Sequence, residues 1–524
     1  MADTPPEVSH LRDVLLSSTI AMPLRQQLID EKNRLDRLAT EPAGSVGQLS
    51  SEVTLPPKLF HVIIDLNLEY PGGRTEARNW IIEKLRELVP SFVGDQNPKN
   101  KYNQQYFFAE LEANTVLALV TADQGDHKGV PAADSTMSKG PKAIYHVWAD
   151  FEIVAQMNKS IATIKCDAAQ ASYGAYGEGI VWAVMDSGID GTHPHFEAEG
   201  NLSIDKPLEH TDFTGAPLAA DGQLPTALTD GMGHGTHVAG IIGGRWGKDT
   251  PPRAYNRNRS EMGEVTYVPV NTSKLSGMAS RCKLLSLKVM DANGKGNVSN
   301  LIAAITLIQE LNGYGRRLLV HGVNMSVGYA FDPEWFACGQ SPLCVEVDRL
   351  VKSGVVVVVA AGNTGYGVAQ SRFNGVVSAG MGLTINDPGN AEMAITVGST
   401  HRDMPHVYGV SYFSSKGPTG DGRAKPDLVA PGEKILSCAA GKAQQDMAAQ
   451  TPPLACDYVE DSGTSMAAPH VSGAIAAFLS IRREFIGRPG QVKELFTSTA
   501  TDLKREKYFQ GSGLVDLMRA IQAV

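Results

Sequence analysis

The sequence is poor in cysteine and has no long apolar run. Its six cysteines are sparse for 524 residues, and no two of them form a C-x-x-C pair. A disulfide scaffold and a zinc ribbon are therefore not indicated. Free buried thiols are the favoured prediction, with local disulfides Cys338–Cys344 and Cys438–Cys456 as the alternative. The most apolar run, residues 355–361, is far shorter than the roughly 20 residues that span a bilayer.

Basic residues are not in excess, and the amino terminus has no basic segment followed by an apolar core. The 47 Lys and Arg residues against 56 Asp and Glu residues give a net charge of −9. This balance disfavours a broad surface for nucleic acid or an anionic membrane, so we expect neither as a partner. The missing secretory signal predicts a cytoplasmic location, with non-classical secretion as the alternative.

Composition and periodicity divide the chain into three regions. Residues 1–57 show a helical spacing interrupted by Pro23 and then a Pro-, Gly- and Ser-rich linker, which predicts a helical arm. Residues 58–158 have the pattern strand, helix, strand and strand, which predicts a small α+β domain. In residues 159–524, uniformly apolar strand runs alternate with helical segments. Such strands are buried on both faces, so this region is predicted to be α/β, with a parallel sheet flanked by helices.

Four polar side chains in the α/β region lie at strand ends or helix starts. Asp186 ends a strand run, and Asn363 follows a strand with five valines. His234 begins a helix of small residues, and Ser465 begins a longer apolar helix. Each has an ordinary structural explanation alone, such as a helix N-cap for Ser465 or a turn for Asn363. Ligands bind at the carboxyl ends of strands in open α/β sheets, so the four together predict a catalytic site.

Three other interpretations of these motifs are weaker. His234 and His237 have no acidic third ligand nearby, which disfavours a metal site. The glycine run at residues 231–235 lacks the full G-x-G-x-x-G spacing and a preceding strand, which disfavours a dinucleotide-binding oxidoreductase. An α/β-hydrolase would show G-x-S-x-G, but Ala467 stands where its second glycine belongs.

Asp186, His234, Asn363 and Ser465, in this order, resemble the catalytic blocks of subtilisin-like serine peptidases. The resemblance runs from about residue 161 to residue 480. It implies a catalytic triad of Asp186, His234 and Ser465, with Asn363 as a donor to the oxyanion. The implied activity is that of a serine endopeptidase, which hydrolyses polypeptides through an acyl-enzyme.

The same resemblance implies two backbone segments that hold an extended substrate as an added strand. They consist of Ser326, Val327, Gly328, Ala360, Ala361 and Gly362. The floor of the side-chain pocket between them is expected near residues 381–382, after the unusually long stretch at residues 366–380. No cofactor is implied for the chemistry.

Structural calcium is common in this family, but its usual site is expected to be absent here. His195 stands where many members have a calcium-binding Asp. A long insertion with several arginines, residues 245–274, replaces the second ligand loop, and calcium prefers oxygen ligands. The insertion is interpreted as a solvated basic loop or as a surface for an acidic partner. Residues 291–296 are interpreted as a polar turn rather than a calcium loop.

Residues 58–155 resemble, in position and pattern, the propeptides that assist folding in this family and occlude the cleft. We therefore expect a self-inhibited precursor, in which the N-terminal region is the inhibitor and self-cleavage occurs near residues 155–160. The alternative is a regulatory or binding protein on a subtilisin scaffold, with activity limited to its own chain or absent.

Overall fold

The computed structural model describes most of the 524 residues. The described residues are 19–20, 22–40, 58–92, 100, 104–123, 142–149, 159–215, 224–259, 265–272, 275–331, 337–371, 375–450 and 452–524. The chain divides into two compact units, Met1–Val154 and Ala155–Val524. Residues 1–18 of the predicted arm and residues 155–158 of the expected cleavage region lie outside the described residues.

The first unit contains one antiparallel sheet of three strands. Its elements are helix α1 (Met22–Thr40), β1 (Leu59–Leu66), helix α2 (Gly73–Leu88), β2 (Tyr106–Glu112), helix α3 (Ala113–Ala122) and β3 (Ile144–Ala149). The strand order is β2–β1–β3. Leu24 and Leu28 of α1 are buried in the same core as the sheet, so α1 is part of this unit's core.

Helix α3 was absent from the predicted pattern of the first unit. Its sequence combines Ala and Leu, which favour helices, with Thr and Val, which favour strands. Four buried side chains recur at helical spacing, namely Ala113, Val116, Leu119 and Val120. The packing of that face against the core decides in favour of the helix.

The elements of the second unit alternate between strands and helices. The strands are β4 (Val181–Asp186), β5 (Thr211–Asp212), β6 (Ala254–Arg259), β7 (Val265–Val270), β8 (Lys283–Lys288), β9 (Gly322–Met325), β10 (Val356–Ala360), β11 (Tyr366–Ser371), β12 (Gly375–Gly380), β13 (Ile395–His401), β14 (Leu428–Glu433), β15 (Ile435–Cys438) and β16 (Tyr458–Asp461). The helices are α4 (Lys159–Thr163), α5 (Cys166–Tyr173), α6 (His234–Ile242), α7 (Val298–Leu311), α8 (Pro342–Lys352), α9 (Pro405–Tyr408), α10 (Gly441–Ala448), α11 (Thr464–Ile481), α12 (Pro489–Ser498), α13 (Lys507–Gln510) and α14 (Leu517–Gln522).

Seven parallel strands form the central sheet, in the order β14–β13–β10–β9–β4–β8–β5. Both faces of the sheet are covered, which explains why its strands are apolar throughout. In β10, Val356 and Val358 belong to the core on one face, whereas Val357 and Val359 belong to the core on the other. Full burial of each such side chain contributes about 1.5–3 kcal/mol. The predicted α/β fold with a helix-flanked parallel sheet is confirmed.

Helix α11 is the central helix on one face of this sheet. It is the one helix among the described residues that is long and apolar enough to cross a membrane, and 83% of it is buried inside the fold. Its place in the core accounts for that composition. Pro469 lies inside the helix and has no N–H to donate to the carbonyl of Ser465 four residues earlier.

The basic insertion contains a β-hairpin rather than an irregular loop, and most of its described residues are exposed or half-exposed. Strand β6 pairs with β7 and also with β16, which gives a sheet in the order β15–β16–β6–β7. The guanidinium of Arg253 donates hydrogen bonds of 2.9 and 2.7 Å to the Asp457 carboxylate. Arg257 lies 3.5 Å from Asp461. Both arginines therefore pair with acids of their own chain.

All six cysteine side chains are buried and unpaired, which confirms the prediction of free thiols. Burial raises the pKa of Cys456 to about 12 and raises the pKa of Cys166 and Cys282 as well. These thiols therefore stay protonated near neutral pH and are poor nucleophiles.

Candidate active site

Asp186 and His234 meet at the carboxyl edge of the parallel sheet. Asp186 is the last residue of β4 and is 1% exposed, and His234 is the first residue of α6. The distance from Asp186 Oδ1 to His234 Nδ1 is 2.7 Å. The backbone N–H of Ser187 donates to the same oxygen at 2.8 Å. With Nδ1 engaged, Nε2 is the imidazole nitrogen that remains for chemistry in the cleft.

Glycines on both sides of His234 allow this close approach. Gly233 has a φ of 88°, in the left-handed region that favours glycine. A Cβ atom on Gly235 would lie 2.1 Å from the carbonyl oxygen of Gly188 and 3.1 Å from the Cβ atom of Asp186. A side chain at Gly235 would therefore separate α6 from β4.

The environment of His234 favours its charged form. Burial is the largest single effect and would lower the pKa of His234, but the charge and hydrogen bond of Asp186, together with other carboxylates nearby, outweigh it and raise that pKa above its ordinary value. Asp461 and Asp230 act in the same direction as Asp186. An imidazolium formed here by proton uptake is therefore stabilised.

Ser465 is the second residue of α11 and lies beside Ser326. The Ser465 hydroxyl donates a 3.1 Å hydrogen bond to the carbonyl oxygen of Ser326. The side-chain oxygen of Asn363 accepts from the N–H of Thr464 at 2.9 Å and from its hydroxyl at 3.0 Å. Because Thr464 holds the oxygen, the NH₂ group of Asn363 is left to donate elsewhere.

One cleft of about 600 Å³ contains most of the predicted site residues. Those that line it are His234, Ser326, Val327, Gly328, Ala360, Gly362, Asn363 and Ser465. Further lining residues that sequence reasoning missed are Met232, Val289, Met290, Val298, Leu301, Tyr329, Thr364 and Asn386. The missed residues come from separate segments, and several directly follow β8 or β9. Their position after buried strands was the one signal that could have identified them.

Two expectations about the substrate-binding segments differ from the structure. Ala361 is buried, and its N–H donates to the carbonyl of Val397 at 2.9 Å while its carbonyl accepts from the N–H of Asn386 at 3.0 Å. Its backbone is therefore used by the fold. The same holds for Gly362, whose N–H donates to the Thr464 hydroxyl at 3.1 Å and whose carbonyl accepts from the N–H of Ser415 at 2.9 Å. Residues 381–382, where the floor was expected, do not line this cleft, whereas Asn386 does, and the long stretch at residues 366–380 forms the hairpin β11–β12.

His195, which stands where many family members have a calcium-binding Asp, has a buried and hydrogen-bonded side chain. Its ring is 1% exposed, and Nδ1 accepts a 2.8 Å hydrogen bond from the Tyr458 hydroxyl. Its Nε2 lies 3.0 Å from the carbonyl oxygen of Gly243 and 3.2 Å from that of Gly240. Burial lowers the pKa of His195 to about 3, so the ring is neutral. The imidazole N–H is thus hydrogen-bonded to these two carbonyl oxygens.

The described part of the chain holds no group of three or more His, Cys, Asp or Glu side chains placed to bind a metal ion. Residues 291–296 form a turn in which Asp291 accepts from the N–H groups of Asn293 and Lys295, both at 2.9 Å. This geometry agrees with the predicted polar turn.

An imidazole held by a buried carboxylate, in one cleft with a serine hydroxyl and an amide donor, is suited to acyl transfer. The order Asp, His, Ser along a parallel sheet separates this chain from the α/β-hydrolases. The fold and the cleft thus define a serine peptidase. The sequence profile of the Subtilase family matches residues 177–513, well over half of the chain, and the chain belongs to that family.

Individual members of the family are similar at about 30% identity. Pyrolysin of Pyrococcus furiosus is 31% identical over 345 residues, which are 58% of this chain and 22% of pyrolysin. Subtilisin E of Bacillus subtilis is 30% identical over 362 residues, 69% of this chain and 70% of subtilisin E. The serine protease AprX of Bacillus subtilis is 28% identical over 352 residues, 66% of each chain. Membership makes the chain a serine endopeptidase, whose catalysis needs no cofactor.

Proposed function

We propose that this chain hydrolyses internal peptide bonds through an acyl-enzyme on Ser465 and is made as a self-inhibited precursor. The observation that carries the catalytic part is the 2.7 Å hydrogen bond between the buried Asp186 and His234, in the cleft that also contains Ser465. A serine hydroxyl is a weak nucleophile near neutral pH and requires such an oriented base.

In the first step, the Ser465 hydroxyl turns from the Ser326 carbonyl to His234 Nε2 and gives up its proton there. Its oxygen bonds to the carbonyl carbon of the substrate. The resulting imidazolium passes the same proton to the leaving nitrogen as the C–N bond breaks. Asp186 holds the ring in one tautomer and stabilises its positive charge throughout.

In the second step, water replaces the leaving amine. His234 takes a proton from the water, the water oxygen attacks the acyl carbon, and the proton returns to Ser465 Oγ as the ester breaks. The Asn363 NH₂ group and the backbone N–H of Ser465 are the donors assigned to the oxyanion of each tetrahedral intermediate. Fixed donors in a water-poor cleft stabilise that charge without reorganising.

The substrate is an extended polypeptide held by backbone hydrogen bonds along residues 326–328 and at Ala360. Such bonds do not depend on the substrate's side chains, which supports broad endopeptidase action. The apolar lining from Val289, Val298 and Leu301 favours apolar substrate residues on that side of the cleft.

The inhibitory part of the proposal concerns the first unit. What supports it is a compact α+β unit with its own sheet and core directly before the peptidase unit in the sequence. We assign it the role of a propeptide that assists folding and inhibits until the chain cuts itself near residues 155–160.

A fluorophosphonate probe tests the catalytic part. We expect it to label the wild type and not Ser465→Ala, and peptide hydrolysis to fall about 10⁶-fold in the variant, the loss known for the serine of subtilisin itself. Circular dichroism controls for folding. Equal labelling of both proteins, or no labelling before and after proteolytic removal of residues 1–160, would overturn the proposal.

Mass determination with terminal sequencing tests the inhibitory part. Purified wild type should shorten near residues 155–160 with time and gain activity as it does so. Ser465→Ala should keep its full mass. Shortening of Ser465→Ala at the wild-type rate, or constant activity during shortening, contradicts self-processing from an inhibited precursor.

A further inference from the structure

A second buried carboxylate lies next to the catalytic pair. Asp230 is in the loop that leads into α6, four residues before His234, and it is 7% exposed. A buried carboxylate is costly unless its oxygens are hydrogen-bonded or paired with a positive charge. The contacts of Asp230 must therefore offset the cost of burying its carboxylate.

Asp230 accepts four hydrogen bonds from three residues. Its Oδ1 accepts from the hydroxyl of Ser187 and from the N–H of Gly233, both at 2.8 Å. Its Oδ2 accepts from the N–H of Thr236 at 2.8 Å and from the Thr236 hydroxyl at 2.6 Å. Burial raises the pKa of Asp230, and these four donors oppose that effect. Only an ionised carboxylate accepts from four donors without bringing a proton of its own.

These contacts join the two elements that carry the catalytic pair. The first N–H groups of a helix have no partner within it, and Asp230 takes one of them from α6 through Thr236. The Ser187 hydroxyl, which donates to Asp230, also accepts from the N–H of Gly235 at 2.9 Å. Ser187 follows Asp186 directly in sequence. One carboxylate thus fixes the residue after Asp186 and the first turn of the helix that begins at His234.

The charge of Asp230 also acts on His234, whose pKa it helps to raise. The titratable and charged groups that act on His234 come from several elements. They are Asp186 of β4, Asp461 of β16, Asp230 before α6, and His237 of α6 itself, with Arg257 facing Asp461. Asp461 raises the pKa of His234 more than Asp230 does, but Asp461 is half-exposed and paired with Arg257, whereas Asp230 is buried and hydrogen-bonded to neutral donors.

We propose that Asp230 is a positioning residue of the catalytic site, which holds Asp186 and His234 in register through Ser187 and Thr236 and supports the imidazolium with its charge. The proposal rests on the proposed function. It goes beyond the triad, because Asp230 does not line the cleft and acts through other residues.

Asp516 provides a matched control elsewhere in the second unit. It is 2% exposed and, like Asp230, it caps a helix, accepting from the N–H of Arg519 at the start of α14. Asp230→Asn and Asp516→Asn each remove one buried negative charge from a helix start, and Asp516→Asn also leaves the half-exposed Lys165 without its ion-pair partner. Only the first substitution removes it beside His234.

The activity test compares kcat, KM and the pH profile of these two variants after processing. For Asp230→Asn we expect kcat to fall about 100-fold, the scale of a misplacement of about 1 Å, with a small change in KM. The acid limb of kcat/KM should move to lower pH, because His234 loses a stabilising charge. Asp516→Asn should keep the wild-type kcat and limb, even if it unfolds more easily.

Asp230→Glu separates charge from position. It retains the negative charge but lengthens the side chain, so we expect a reduced kcat with an acid limb close to the wild-type value. This variant also keeps the test valid if Asp230→Asn does not fold. An acid limb moved as far by Glu as by Asn would contradict the electrostatic part.

A direct titration of the His234 ring by NMR, in the Ser465→Ala background, does not depend on hydrolysis. Asp230→Asn should lower the pKa of His234, and Asp516→Asn should leave it unchanged. If the wild type fails to hydrolyse peptides while the titration shows this difference, only the proposed function is lost. If the pKa of His234 is the same in both Asn variants, Asp230 is a structural helix cap and our inference is wrong.

Discussion

The hydroxyl of Ser465 donates a hydrogen bond to the carbonyl of Ser326, and the hydroxyl of Ser326 returns one of 2.8 Å to the carbonyl of Ser465. The second bond is available because Pro469 cannot donate to that carbonyl within α11. Asn324 donates to the Ser326 hydroxyl at 2.9 Å and fixes it. The interior proline thus frees a helix carbonyl that ties the serine to the substrate-binding segment.

Pro469→Ala should weaken this tie. The new N–H at position 469 competes with the Ser326 hydroxyl for the Ser465 carbonyl, so we expect kcat to fall about fivefold to tenfold, the scale of one hydrogen bond. Ser326→Ala removes the same bond from the other partner and should have a similar effect. The double variant should be no slower than either single variant. Additive losses in kcat would show that the two residues act separately.

Asn363→Leu keeps the approximate size of the side chain and removes both its NH₂ group and the oxygen that accepts from Thr464. We expect kcat to fall about 10²–10³-fold with little change in KM, as found for the corresponding amide of subtilisin, because the donor acts on the transition state. Steady-state kinetics on one peptide substrate checks this. A rise in KM at constant kcat would assign Asn363 to substrate binding instead.

The pH dependence of activity should follow His234. Because its pKa is raised, kcat/KM should fall as the pH decreases through a value above the ordinary imidazole pKa of about 6.5. Asp186→Asn removes the raising charge and leaves burial, so the limb should move to lower pH while kcat falls about 10⁴-fold. A limb at the same pH in both proteins would mean that another group controls it.

The raised pKa of His234 also affects the stability of the fold, which gains most from it at low pH, where the activity is lowest. A raised pKa in the folded state means that protonated His234 stabilises the fold, fully so below the unfolded-state pKa. This contribution should disappear as the pH rises through the folded-state pKa. Urea unfolding of Ser465→Ala across this range, with and without Asp186→Asn, measures it. A contribution that grows with pH contradicts the sign.

Tyr458→Phe should destabilise the second unit without calcium being involved. The substitution leaves His195 Nδ1 buried with no hydroxyl to donate to it, at a cost of about 1–3 kcal/mol. Urea unfolding in the Ser465→Ala background measures the cost, with exposed Tyr314→Phe as the control. The difference should be equal in EDTA and in calcium. A loss confined to calcium-containing buffer would place the ion at this position after all.

The sequence predicted those parts of the fold and site that depend on local patterns. Continuous apolar runs predicted the buried valines of β10. The turns that end such runs predicted the residues that follow strands, such as Asn363. Non-local contacts decided the rest. The insertion forms a hairpin whose strand β6 also pairs with the distant strand β16. Residues 113–122 form a helix, one face of which packs in the core of the first unit. The four contacts of Asp230 likewise come from groups that only folding brings together.

The burial of helix α11, which carries Ser465, also determines how heat inactivates the enzyme. Ser465 lies in the first turn of α11, whose residues from Met466 to Leu479 are buried. Fraying of an exposed element therefore does not release it, and the amide protons of this helix should exchange with solvent only through global opening. The rate of irreversible inactivation should therefore follow the rate of complete unfolding. Folded molecules should also cleave unfolded ones, and this contribution is second-order in protein concentration.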